Sequence, residues 1–249
     1  MRRILICCLV MLAWLGADVQ TALAGGQGYP GGGGQGYPGG PGGMNGGRPG
    51  QSSIVPGGDD LPTATVTEKP DAAASKAYKA AVKSLNKARE FEDVAAKATN
   101  PDKKAAALDK VSDAYGKALD QFTEALSNKG DMVDAWNGAG YVHLRLGAYS
   151  ESIDDYNHAL GIKSDLLEAV EHRAEAYMAV DRLDEAKAAY MDLFNHDRPL
   201  ADQLMAAMQA WLDSHRVAAN GMRPADIDSF GKWLAERDGI AKQTAATTP

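Results

Sequence analysis

Residues 135–160 read AWNGAGYVHLRLGAYSESIDDYNHAL, and residues 168–190 read EAVEHRAEAYMAVDRLDEAKAAY. Trp136, Gly140, His143, Gly147, Tyr149, Ser152, Tyr156 and Ala159 each stand 34 positions before Val170, Ala174, Tyr177, Asp181, Leu183, Ala186, Tyr190 and Leu193, without an insertion. A fixed period of that length marks one supersecondary unit copied along the chain. The residue types fit two antiparallel helices per unit. Gly140 and Ala174 are small enough to let a first helix approach its partner, and Gly147 breaks the chain between helices. Tyr156 and Tyr190 are large enough to fill the space toward the next unit. One register earlier, AYGKALDQFTEAL at 114–126 repeats the second half of the unit through Tyr115, Ala118, Phe122 and Ala125.

Outward from the repeat, the flanks are also helical. Ala74, Tyr78, Ala81, Leu85, Ala88 and Phe91 share one helical face. Asn100-Pro101 supplies an N-cap and a first-turn proline. The helix that follows presents Leu108, Val111, Tyr115, Leu119, Phe122 and Leu126. No stretch alternates with period two for long enough to form a sheet, so the expected fold class is all-α.

The two quoted stretches resemble tetratricopeptide repeat proteins. Residues 135–160 carry that family's Trp, Gly, Gly-x-Tyr, Tyr and Ala-Leu positions, residues 168–190 are a second match, and residues 114–126 match a second helix. The resemblance spans residues 99–198 and departs at His143, where the family usually has Tyr, and at Ser152, where it has Ala. It implies a right-handed superhelical stack of antiparallel helix pairs. Its parts would be a degenerate first hairpin at 71–130 built on the long helix from Asp71 to Ala98, units at 131–164 and 165–198, and a capping helix pair at 199–240, with a flexible end at 241–249. An open stack needs about three units to bury a continuous core, and this arrangement supplies them. Trp211, Phe230 and Trp233 in the capping pair fit either closure of the core or contact with another copy.

The resemblance further implies a concave groove lined by the first helix of each unit. Its exposed positions map to Asp134, Asn137, Tyr141, Leu144 and Arg145 in one unit and to Glu168, Glu171, Glu175 and Met178 in the next. Glu168, Glu171 and Glu175 share a helical face, where like charges repel. One reading is a solvated acidic face, with Asp165 and Glu168 spaced as a capping box. The other is a groove selecting a basic protein or peptide segment, with Tyr141 and Met178 as apolar contacts. The family's clamp for a C-terminal carboxylate is missing here, because Glu168 and His172 occupy matching positions and Gly138 replaces the central Asn. So few units bury less than about 1,200 Å², the range of weak contacts.

Composition narrows the partners. The 249 residues carry a net charge of −7, with 26 basic and 33 acidic residues. Removal of Arg2, Arg3 and Asp18 with a leader leaves 24 − 32 = −8. An acidic chain without a basic run does not neutralise phosphates, so nucleic acid is not an expected partner. The leader is MRRILICCLVMLAWLGADVQTALA at 1–24: two arginines, an apolar core from Ile4 to Leu15, and Ala22-Leu23-Ala24 before the cleavage point. The 12 apolar residues of that core fall short of the roughly 20 a spanning helix needs. Cys7 and Cys8 lie inside the core rather than at its end, so lipidation is not expected. The protein is therefore expected to be exported, periplasmic or extracellular, without stable membrane insertion. Residues 25–70 give the octapeptide GGQGYPGG twice and bury almost nothing apolar, which predicts a disordered linker. Tyr29 and Tyr37 leave open a role as self-association stickers.

Catalysis has little support. His172 with Glu175 and Glu168 could form an acid/base or metal set, but no second helix offers a matching motif. Gly138-Ala139-Gly140 imitates a dinucleotide loop inside a predicted helix. His143 sits at a repeat packing position. The expectation is a non-catalytic interaction module with no cofactor and no metal. The alternative is a structural or matrix component of the envelope whose Gly-Tyr-Pro tail self-associates.

Overall fold

The computed structural model of the chain describes residues 70–218 and 221–246. The expected signal peptide at 1–24 and residues 25–69 of the glycine-rich segment lie outside the described residues. Among the described residues there are eight α-helices and no strand. They are α1 (Pro70–Lys97), α2 (Pro101–Asn128), α3 (Val133–Leu146), α4 (Tyr149–Ile162), α5 (Leu167–Ala179), α6 (Leu183–His196), α7 (Arg198–Val217) and α8 (Pro224–Ala246). The chain is all-α, as the 3.6-residue periodicity requires.

α1 and α2 are antiparallel, since contacts run in opposite order along the two: Asp71 pairs with Lys129, Tyr78 with Phe122, Ser84 with Gln121 and Glu92 with Tyr115. The seam on α1 is mostly alanine, with Ala74, Ala77, Ala81 and Ala88 buried beside Leu85. Small side chains there let two long helices approach closely. Asn100 caps α2 as its Oδ1 accepts from the Lys103 N–H at 3.0 Å, with Pro101 in the first turn.

The later helices repeat their local geometry at the sequence period. α2, α4 and α6 end on extended residues Lys129, Lys163 and Asp197, which are 34 apart, and each cap N–H donates four residues back to Ala125, Ala159 or Leu193. The turns α3–α4 and α5–α6 match in the same way. Gly147 and Asp181 both take positive φ, at 77° and 60°. The following N–H groups, of Ala148 and Arg182, reach back to the carbonyls of His143 at 2.9 Å and Tyr177 at 2.8 Å. This is a Schellman closure used twice.

Each helix packs on the next in sequence, and α1 also meets α3, α3 meets α5, and α5 meets α7. The odd-numbered helices are therefore neighbours. The buried apolar residues form two clusters, one from α1 to α3 around Tyr115 and Phe122, the other from α4 to α8 around Tyr190, Leu204 and Trp211. Trp211 and Phe230 are buried and Trp233 packs against them, so this aromatic group closes the core of the chain.

Two local expectations are corrected. Asp165 and Glu168 form no capping box: α5 starts at Leu167, and its N-cap, Leu166, makes no side-chain bond. The last helix also runs past residue 240 to Ala246. Arg198 holds that extension, donating to the Ala241 carbonyl at 3.3 Å and to Thr244 Oγ1 at 3.2 Å.

Candidate functional site

The odd helices enclose a cleft of about 250 Å³. Helix α1 contributes Tyr78, Asn86 and Arg89, α3 contributes Asp134, Asn137 and Tyr141, and α5 contributes Glu168 and His172. Phe122 and Tyr156 reach the cleft from α2 and α4. Gly138 makes that approach possible: a Cβ there would lie 2.3 Å from Phe122 Cζ. Gly140 does the same for Tyr156, whose ring atoms come within 3.0–3.1 Å of a Cβ position. Asp134 and Glu168 are exposed at the rim, while Asn137 and Tyr141 are half-buried.

Aromatic and charged groups are layered inside. Arg89 lies 4.8 Å from the centre of the Tyr141 ring. His172 meets Tyr141 edge-on at 5.4 Å and stacks over Tyr156 at 6.2 Å. The His172 Nδ1 is 2.8 Å from the Glu168 carbonyl and 3.4 Å from Glu171 Oε2. The Tyr156 side chain is fully buried, and its hydroxyl has no hydrogen-bond partner among the described residues.

Four of the nine expected groove residues, Asp134, Asn137, Tyr141 and Glu168, line this cleft. The other five do not: Leu144, Arg145 and Met178 pack at the opposite ends of α3 and α5, Glu171 is buried and Glu175 is half-buried. Arg145 is paired with Glu92 of α1, whose carboxylate also accepts from Tyr115 at 2.9 Å. Leu144 packs against the larger core cluster. Met178, expected as an exposed apolar contact, is only 2% exposed, and its carbonyl accepts from the Trp211 indole N–H at 3.0 Å. Helix α7 thus seals the far end of α5. Glu171, expected on an exposed face, is 3% exposed, and Glu175 is half-buried. The three glutamates are not a solvated face; Glu168 alone is exposed.

Burial has electrostatic consequences. Desolvation, then the neighbouring Glu175 carboxylate, pushes the Glu171 carboxyl up from 4.5 to about 7, with His172 opposing. Desolvation also raises Glu175, against the pull of His172 and Arg145. A separate polar pair joins α3 to α4: His143 Nδ1 lies 2.6 Å from Asp155 Oδ2, in a carboxyl that burial raises and His143 lowers. Beside it, the buried Ser152 hydroxyl donates to the Gly140 carbonyl at 2.8 Å. Both departures from the resembled pattern are thus satisfied polar contacts within one hairpin. Among the described residues, no three His, Cys, Asp or Glu side chains gather in a group able to hold a metal ion.

Sequence reading missed the α1 wall of the cleft, including Tyr78 and Arg89. The apolar face of α1 was visible, but α1 carries no repeat motif to index its flanking positions. Comparison with known proteins returns no match, either to a family model or to a curated protein. Among the described residues no helix is long and apolar enough to cross a membrane.

Proposed function

We propose that the protein is an exported, non-catalytic interaction module of the tetratricopeptide repeat type. Its helix pairs stack as a right-handed superhelix, and a segment of a partner protein enters between α1, α3 and α5. One observation carries the reading: three consecutive odd helices turn polar and aromatic side chains, Arg89, Asn137, Tyr141 and Glu168 among them, into one shared cleft. A pocket of about 250 Å³ takes one or two side chains of a ligand rather than a whole drug-sized molecule. The contact is weak and exchangeable, at about micromolar affinity.

The test places a photocrosslinking side chain at Asn137 in the full-length protein, in the cell that makes it. Capture of an envelope protein from that position, and none from the exposed Glu151 of α4, is the expected result. Capture should disappear in the Asp134→Lys, Glu168→Lys double variant, where only exposed side chains change. Deletion of residues 25–58 should leave it in place. Equal capture from both positions removes the groove reading. Loss of self-assembly on the deletion, with the cleft variants unaffected, favours the matrix alternative.

A further inference from the structure

We infer that the cleft between α1, α3 and α5 is a receptor for the ammonium group of a lysine side chain on the partner segment. The inference rests on the groove reading above and specifies what enters the groove.

The walls suit an organic cation. Tyr78, Tyr141, Phe122, Tyr156 and His172 surround a space the size of one extended side chain. Aromatic faces attract cations, and their rings also cover the methylene stem of a lysine. The rim is acidic on both sides, through Asp134 of α3 and Glu168 of α5. Arg89 is the one permanently cationic side chain among the lining residues, against those two carboxylates. Its guanidinium lies against the Tyr141 ring. Behind His172 lie Glu171 and Glu175, whose carboxyls burial holds toward the protonated form, so the rim carboxylates Asp134 and Glu168 set the charge of the cleft. A carboxylate ligand would face Asp134 and Glu168 on entry, which disfavours an acidic peptide.

The Tyr156 hydroxyl supplies the second observation. A buried polar atom without a partner is costly to keep. Tyr156 lines the cleft and is 0% exposed, and its hydroxyl, like that of the repeat-equivalent Tyr190, has no hydrogen-bond partner among the described residues. An ammonium carries three N–H donors and no acceptor. The Tyr156 hydroxyl oxygen can accept one of them. The Asn137 amide oxygen and the Asp134 or Glu168 carboxylate are available for the others.

The experiment titrates the full-length, ¹⁵N-labelled protein with blocked tripeptides, N-acetyl-Gly-Lys-Gly-amide and its norleucine and glutamate counterparts, and with n-butylammonium chloride. The lysine peptide should shift the amide signals of Asn137, Gly138 and Glu168 saturably, at roughly millimolar concentration for so small a ligand. The norleucine and glutamate peptides should not. Tyr156→Phe should weaken lysine-peptide binding about threefold to tenfold, the loss of one hydrogen bond, without lowering the melting temperature. If that variant melts early, Glu168→Gln at the exposed rim carries the same comparison. Equal binding of norleucine and lysine peptides overturns the cation assignment while leaving the groove in use. Butylammonium binding as tightly as the lysine peptide overturns the peptide source in favour of a free amine. No shift with any probe overturns the inference outright, and the crosslinking result at Asn137 then decides the groove reading by itself.

Discussion

Two glycines in helices show how much a single missing Cβ can decide. At Gly138 a methyl group would stand 2.3 Å from Phe122 Cζ, in a ring that is itself buried. At Gly239, inside α8, nothing lies within 4 Å of the same position. Alanine is favoured over glycine by about 1 kcal/mol in a helix interior. Gly239→Ala should therefore stabilise the protein by about 0.5–1 kcal/mol. Gly138→Ala gains the same propensity but must displace Phe122, and overpacking of that kind costs about 1–3 kcal/mol. Thermal melts of the two variants should move in opposite directions. From the sequence, Gly138 looks like a lost binding asparagine or an imitation of a nucleotide loop. Its role depends on Phe122, 16 residues earlier in another unit, and no periodicity encodes that contact. The pairing of His143 with Asp155 was equally invisible, since a packing position and a polar partner look alike until the two helices are docked.

At the scale of the helix and its ends, the sequence was more readable. The 34-residue spacing located the breaks, and the caps at Lys129, Lys163 and Asp197 follow it. Capping chemistry read from the sequence succeeded at Asn100, where a proline follows, and failed at Asp165, where the helix starts at Leu167 instead. The difference is physical: Pro101 fixes the first turn, whereas tertiary packing sets the start of α5. The repeat also exposes an imperfect turn. Gly147 holds its positive φ without strain, but Asp181 adopts φ 60° at the equivalent place. Asp181→Gly should relieve that strain and raise stability by about 0.5 kcal/mol, while Gly147→Ala should lower it by about 1 kcal/mol. Urea unfolding with a common m-value checks both.

For the molecule as a whole, the fold class was legible and the groove only in part. Positions near the N-terminal ends of α3 and α5 face the cleft as expected, while those near the C-terminal ends were taken by Glu92 and by the cap around Trp211. Glu171 is buried beside Glu168, His172 and Glu175 of its own helix, and that burial makes stability depend on pH. Below 4.5 the Glu171 carboxyl is protonated in both the folded and unfolded chain. Between 4.5 and about 7 the unfolded chain gives up that proton and the folded chain keeps it, so stability falls as pH rises through this window. Glu175 and Asp155, both raised by burial, act with the same sign. The protein should melt at a lower temperature at pH 8 than at pH 5. Glu171→Gln should flatten that slope and add on the order of 2 kcal/mol at pH 8. A slope unchanged in the variant would show that Glu171 ionises normally. The contact pattern reaches further than stability. Each helix leans chiefly on its next in sequence, the odd-numbered helices also touch one another from α1 to α7, and the caps recur at one interval from Lys129 to Asp197. Loss of that interval removes contacts specific to one helix pair, such as Gly138 against Phe122 and Arg145 with Glu92, so the helices at the new junction have to repack. Lengthening or shortening the row by one interval therefore has to be accompanied by substitutions at the joins.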